Sequence, residues 1–372
     1  MQDLVDLLNK LVAIDSVNPD LVPGGAGEEE IAEFVAGWLR EAGLDVELDE
    51  AAPGRPSVVA TARGTGGGAS LMLNAHMDTV GVEGMERPFE PVVRNGRLYG
   101  RGAYDMKGSL AACMLAARRL AADELSGDVI VTAVADEEYA SIGVQSVLAK
   151  RSADAAIVSE PTGLRVCVAH KGFVWAEIET EGRAAHGSRP AEGIDAITRM
   201  APVLGRLAEL QAALDAAPGH ELLGPGSVHA SLIQGGQELS SYPARCRLSL
   251  ERRTAPGESA DDFARECDAL VEGMHGAEVR MGLARPPFAV DPDAAVVQAV
   301  SRAAEAVTGR AAAVYGETYW MDASLTQAAG IPTVVFGPGG AGAHAVEEWV
   351  DLASVDACSD SLVEAARILC AD

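Results

Sequence analysis

The rhythm of apolar and polar positions changes several times along the chain, and each change marks an element. The opening residues, MQDLVDLLNKLVAIDS, place apolar side chains three and four positions apart, which predicts an amphipathic helix. Residues 28–43, EEEIAEFVAGWLREAG, predict a second helix stopped by Gly43. VELDE, SVVATARG (57–64) and LMLNAHMD (71–78) predict strands, the last two parted by the turn-rich TGGGAS. Residues 107–122 form an Ala-rich helical pattern. DVIVTAVADEE (128–138) and AAIVSEP (155–161) are apolar runs that end in acids. Such runs separated by helices predict an α/β architecture, a mainly parallel sheet covered by helices on both faces.

Near residue 173 the period drops to two. FVWAEIETEG alternates, a helix follows over about 191–214, then SVHASLIQGG and ARCRLSLERRT, a helix at SADDFARECDALVEGM and the strand AEVRMGLA. The order β–α–β–β–α–β predicts an inserted α+β unit of the ferredoxin-like split βαβ type. From about 290 the earlier style returns, with helices at 293–308, 322–329 and 353–370 and the strand IPTVVFGPGG. The expected layout is a discontinuous domain of residues 1–172 and 284–372, carrying an inserted domain of 173–283.

Composition narrows the function. At 372 residues and 48% apolar content, the chain can bury two cores. A net charge of -26 argues against an electrostatic footprint for nucleic acid or an anionic membrane. No run reaches the length of a membrane span, and the N-terminus lacks the pattern of a secretory leader. The six cysteines show no CxxC spacing, which predicts reduced, mostly buried thiols in a cytoplasmic protein.

The unusual feature is where the polar residues fall. His76 and Asp78 end one strand, Glu137 and Glu138 another, and Glu160 a third. Asp105 lies in the loop GRGAYDMKGS and His344 in GPGGAGAHAVEEWV. Ligand sites of open α/β sheets collect at the carboxyl ends of strands. His76, Asp105, Glu138, Glu160 and His344 have the composition of a two-metal site, zinc by default with cobalt able to substitute. Asp105 is the natural bridge between two ions. Asp78 is expected to accept a hydrogen bond from the second ring nitrogen of His76. Glu137 is expected to take a proton from the attacking water and pass it to the leaving amine.

These stretches, with NAHMDTV, GRLYGRGAYDMKG, VADEEYASIG, IVSEPTG, GRAAHGSRPAEGIDAI, ERRTAPGE and FGPGGAGAHAVEEWV, resemble the M20 metallopeptidase and deacylase family along essentially the whole chain. The family includes acetylornithine deacetylases, succinyl-diaminopimelate desuccinylases, aminoacylases and carboxypeptidases. The resemblance implies the same ligand and base assignments and a cis peptide between Asp105 and Met106. It implies that the inserted domain is a lid through which a homodimer forms. It makes His186 the lid histidine that stabilises the oxyanion and Arg253 the group that binds the substrate carboxylate, with Arg252 as a competitor. Gly337, Gly339 and Gly340 match a loop that admits substrate to the backbone. Ser240 stands where many relatives carry Asn, and Glu347 and Glu348 stand as acids near the ligands or at a helix start.

The expected activity is therefore metal-dependent hydrolysis of the amide bond of an N-acyl amino acid, with acetylornithine-deacetylase-like chemistry first. Succinyl-diaminopimelate desuccinylase and carboxypeptidase or dipeptidase activities are the alternatives within the class. Lys171 and His170 are candidates for gripping an anionic acyl group. A metal-binding scaffold protein that kept the fold is the non-enzymatic alternative, which the loss of a ligand or the base would have indicated.

Overall fold

The computed structural model of the protein describes residues 1–371. The chain forms two compact units. One comprises Met1–Val168, Val290–Tyr315 and the chain from Met321 onward; the other comprises Ala169–Ala289 and Gly316–Trp320.

The first unit is built on a mixed sheet with a parallel centre. Strands Val129–Val134, Leu71–His76, Ala155–Val158 and Thr333–Val335 lie side by side in that order, all parallel. Every residue in these four strands is buried, as their unbroken apolar runs predict. Successive side chains go to opposite faces. Leu71, Leu73 and Ala75 join the large core with the helices Gln2–Ala13, Glu29–Glu41, Gly108–Leu120, Ala295–Thr308 and Leu352–Leu369. Met72 packs on the other face against Ala156 and Ile331. Gly108–Leu120 is buried nearly all round, which its alanines permit.

The flanks are antiparallel. Asp45–Ala52 and Arg55–Ala62 form a hairpin whose second strand pairs with Val129–Val134. On the other side, Val335 pairs antiparallel with Cys167. The acids predicted to end strands lie just beyond them: the 128–138 pattern stops pairing at Val134 and the 155–161 pattern at Val158. Asp136 turns the chain out of the sheet by adopting a φ of 68°. A small antiparallel sheet that the sequence pattern did not reveal joins Gly340–Ala341, Trp349–Asp351, Arg97–Tyr99 and Val92–Arg94.

The second unit has four antiparallel strands, ordered Ser227–Gly235, Arg245–Thr254, Gly172–Glu181, Ala277–Arg285. With the helices Ala196–Ala216 and Ala260–Leu270 this is the ferredoxin-like split βαβ order. The alternation along Arg245–Thr254 sends Leu248 and Leu250 into a core with Ile178, Met200 and Phe263. The first helix starts at Ala196 rather than 191, because the Asp195 side chain caps it by accepting from the Thr198 amide. All six cysteines are buried and none forms a disulfide. Among the described residues no helix is long and apolar enough to cross a membrane.

Candidate metal centre

The parallel strands bring the predicted acids and histidines to one edge. His76 is the last residue of its strand and registers with Val134, just before the turn that carries Asp136, Glu137 and Glu138. Glu160 follows Val158 by two residues. Asp105 sits in the irregular turn Ala103–Lys107, and its peptide bond to Met106 is cis. His344 lies between the strands Gly340–Ala341 and Trp349–Asp351 of the small sheet.

Asp105 is the centre of the group. Its Oδ1 lies 3.2 Å from His76 Nε2 and its Oδ2 lies 3.5 Å from His344 Nε2. Glu160 Oε1 is 3.8 Å from His76 Nε2, and Glu138 Oε2 is 3.2 Å from His344 Nε2. These contacts divide the group into His76 with Glu160 and His344 with Glu138, sharing Asp105. The donor atoms are tightly gathered: those of His76, Glu137 and Glu160 lie within 4.8 Å of one another, as do those of His76, Asp105 and Glu138. His76 thus lies near both sets, and the division rests on the histidine contacts.

The charges call for cations. Burial, and then the neighbouring acids, raise the carboxyls of Glu137, Glu138 and Glu160. Burial opposes a charge on His76, yet Asp105 and Glu160 hold its pKa well above the usual value. Asp105 and Glu138 push His344 up to about 10. Burial also opposes the charge of Asp105, but the two histidines hold its carboxyl below the usual range. Glu138 Oε1 is buried without a hydrogen-bond partner. An imidazole–carboxylate set with an orphaned oxygen fits two divalent ions, which would offset the repulsion among the acids.

One expectation changes at this site, for Asp78, and one narrows to the first of its two alternatives, for Glu348. The Asp78 carboxylate does not hold the His76 ring; the main-chain carbonyl of Asp78 does, 2.9 Å from Nδ1, with the carboxylate at 3.6 Å. The carboxylate instead accepts from the amides of Glu137 and Glu138, both at 3.1 Å. Glu348 is not a helix-start acid: the last helix begins at Leu352, capped by Asp351. Glu348 is buried and accepts from the amides of Tyr104, Asp105 and Gly102 at 2.8, 3.0 and 3.0 Å, with Arg101 Nη1 at 2.6 Å. It therefore holds the loop that presents Asp105. Glu347 is exposed.

His186, Arg253 and Ser240 belong to the second unit. His186 is exposed, with Nδ1 2.8 Å from Ser188 Oγ. Arg253 donates to Glu251 at 2.7 Å and lies over the Phe173 ring. Arg252 is buried and committed to Glu258 and Glu266, which removes it as the competitor of Arg253. Ser240 is exposed and its carbonyl accepts from the Gly187 amide. Lys171 donates to the Pro225 carbonyl, and His170 stacks on Phe288. In the first unit, a Cβ at Gly337 would lie 2.2 Å from the Glu160 carbonyl oxygen, so glycine there lets two loops touch. The Gly339 amide is taken up by Ser354 Oγ at 2.6 Å.

Sequence reasoning missed Asn18, Glu28, Arg55, Asp136 and Asp322. The first four form a buried network behind the Glu137 turn. Asp322 is buried with neither oxygen in a well-formed hydrogen bond, and burial pushes its carboxyl up to about 7. Its only sequence signal is an acid beside apolar residues in YWMDASL.

Comparison with known proteins gives the family and the fold. The chain is 28% identical to an N-formyl-4-amino-5-aminomethyl-2-methylpyrimidine deformylase of Bacillus subtilis, covering 99% of this chain and 93% of that one. It is 29% identical to an acetylornithine deacetylase of Photorhabdus laumondii, covering 94% and 93%. Its fold matches an M20 family metallo-carboxypeptidase of Sulfolobus solfataricus with a TM-score of 0.83 at 19% identity, over 99% of both chains. It also matches a dinuclear metal binding M20 peptidase of Bacillus subtilis with a TM-score of 0.73 at 19% identity, over 99% and 98%. The sequence model of peptidase family M20/M25/M40 matches residues 72–368, and the chain belongs to that family of metal-dependent hydrolases acting on amide bonds.

Proposed function

We propose that the protein hydrolyses the amide bond of N-acyl amino acids, an acetylornithine-deacetylase-like activity, with two divalent cations, zinc first and cobalt as a substitute. One observation carries the reading: each oxygen of Asp105 faces a different histidine, and each histidine has its own glutamate. The similarity to acetylornithine deacetylases across nearly the whole chain favours that substrate class.

His76 and Glu160 would hold one ion and His344 and Glu138 the other, with Asp105 available to both. When bound, such ions would supply polarisation of the scissile carbonyl and a more acidic attacking water. Glu137, left over beside the ligands, takes a proton from the water as its oxygen joins the carbonyl carbon. It returns that proton to the amide nitrogen as the carbon–nitrogen bond breaks, so a carboxylate and an amine leave. His186 donates to the developing oxyanion. Arg253 exchanges its Glu251 partner for the substrate carboxylate, while Ser240 and the Gly339 loop border the substrate. In this reading residues 173–283 are the lid and the homodimer surface, residues 1–172 and 284–372 carry the chemistry, and the enzyme is cytoplasmic.

The test is elemental analysis with a hydrolysis assay on N-acetyl, N-formyl and N-succinyl amino acids and dipeptides. Two ions per chain and turnover of N-acetyl amino acids are expected. Cleavage of dipeptides alone would replace the deacylase reading with a peptidase one.

A further inference from the structure

The first unit contains a buried polar assembly that the proposed chemistry does not use. Arg55 Nε and Nη2 donate to the two oxygens of Glu28 at 2.6 and 2.8 Å, and Nη2 also donates to Asp136 Oδ1 at 2.9 Å. Arg55 Nη1 pairs with Asp20. Asn18 Nδ2 donates to the same Asp136 oxygen at 2.9 Å and to Asp78 Oδ2 at 2.8 Å. Asn18, Glu28, Arg55, Asp78 and Asp136 are all buried.

Taking so many carboxylates out of water around one guanidinium is a poor way to gain stability, since apolar packing of the same volume does as well or better. The assembly has a directed end. Asp78 accepts from the Glu137 and Glu138 amides. Asp136 accepts from the Ala140 amide through Oδ2 at 3.2 Å, and its own amide donates to Glu28 at 3.2 Å. Its carbonyl accepts from the Ser141 amide. Asp136 also has a left-handed φ of 68°, a conformation that a non-glycine residue keeps where its surroundings over-determine it.

We propose that Arg55 and Asn18 are positioning residues of the reaction: through Asp136 and Asp78 they hold the turn that aims Glu137 and Glu138 at separate tasks. The inference rests on the assignment of Glu137 as base and Glu138 as ligand. A displacement of about an ångström at a catalytic group is enough to cost roughly a hundredfold in rate, so a turn with no sheet pairing needs such an anchor.

Two variants test this. Asn18→Ala removes the donor shared by Asp78 and Asp136, and Arg55→Lys keeps the charge but loses the fork that spans Glu28 and Asp136. In metal-free protein, amide exchange at Glu137 and Glu138 should quicken at least tenfold, while the amides of Leu71–Asn74 keep their parental rates. In metal-loaded protein, kcat on the fastest N-acyl amino acid of the panel should fall roughly ten- to a hundredfold, with KM and bound metal unchanged. Parental exchange at Glu137 and Glu138 overturns the proposal, as does a loss of rate that follows KM or metal content. Glu137→Ala serves as the control. If it retained full activity, the base assignment would fail, while the exchange data would still judge whether Arg55 and Asn18 hold the turn.

Discussion

His76 and Asp78 are coupled through the backbone: the ring nitrogen Nδ1 meets the Asp78 carbonyl at 2.9 Å, leaving the Asp78 carboxylate to the next loop. The two functions of Asp78 are therefore separable. Asp78→Asn keeps the carbonyl but puts an amide group where Asn18, Glu137 and Glu138 all donate. Metal content should stay at the parental level while kcat falls roughly ten- to a hundredfold. Elemental analysis beside steady-state kinetics checks this; loss of the metals instead would return the orienting role to the carboxylate.

Among the described residues Glu137 has no histidine within ion-pair distance, unlike Glu138 and Glu160. Glu137→Ala should keep both ions and lose roughly 10²- to 10⁴-fold in kcat. A variant as fast as the parent would sink the assigned mechanism.

Glu348 ties Arg101 to the amides around Asp105. Glu348→Gln leaves a buried guanidinium without its carboxylate and faces an amide group toward three N–H donors. Unfolding by urea should show a loss of about 3–5 kcal/mol. A change within error of zero would mean the loop holds Asp105 unaided.

Metal removal should make stability depend steeply on pH. In the metal-free site Glu137, Glu138 and Glu160 are raised from 4.5, and His344 is raised to about 10. Between those values these groups bind more protons in the folded chain than in the unfolded one, so their contribution to stability falls as pH rises; buried Lys107, which burial lowers to about 7, opposes them above that pH with or without the cations. Asp105 acts in the opposite sense, but only at the acid end, where its lowered carboxyl titrates. Bound cations supply the positive charge instead of protons, so the loaded protein should show a flatter profile. Melting temperatures across pH 5 to about 10, with and without chelator, measure the difference; equal slopes would contradict it.

The parts legible in the sequence share a physical cause. An apolar run such as LMLNA must be buried on both faces, so the polar residues at its end have to lie at a sheet edge. That reasoning located His76, Glu137, Glu138 and Glu160 from their own segments. It could not find the antiparallel hairpin before Leu71, since pairing direction leaves no mark on the alternation of SVVATARG. Nor could it find the small sheet around Trp349, whose strands are two or three residues long and carry no periodic signal.

Sequence by itself determined which side chains are available and where each leaves its strand, because burial of apolar runs is a local property. Tertiary structure decided which polar groups meet. Asn18 reaches Asp136 across 118 positions and Arg101 reaches Glu348 across 247. A buried donor takes whatever acceptor the packed chain brings to it, and no spacing in the sequence encodes that choice. For that reason the candidate ligands could be read from the sequence, while the contacts that hold Asp105, His76 and Glu137 in place became visible only in the folded chain.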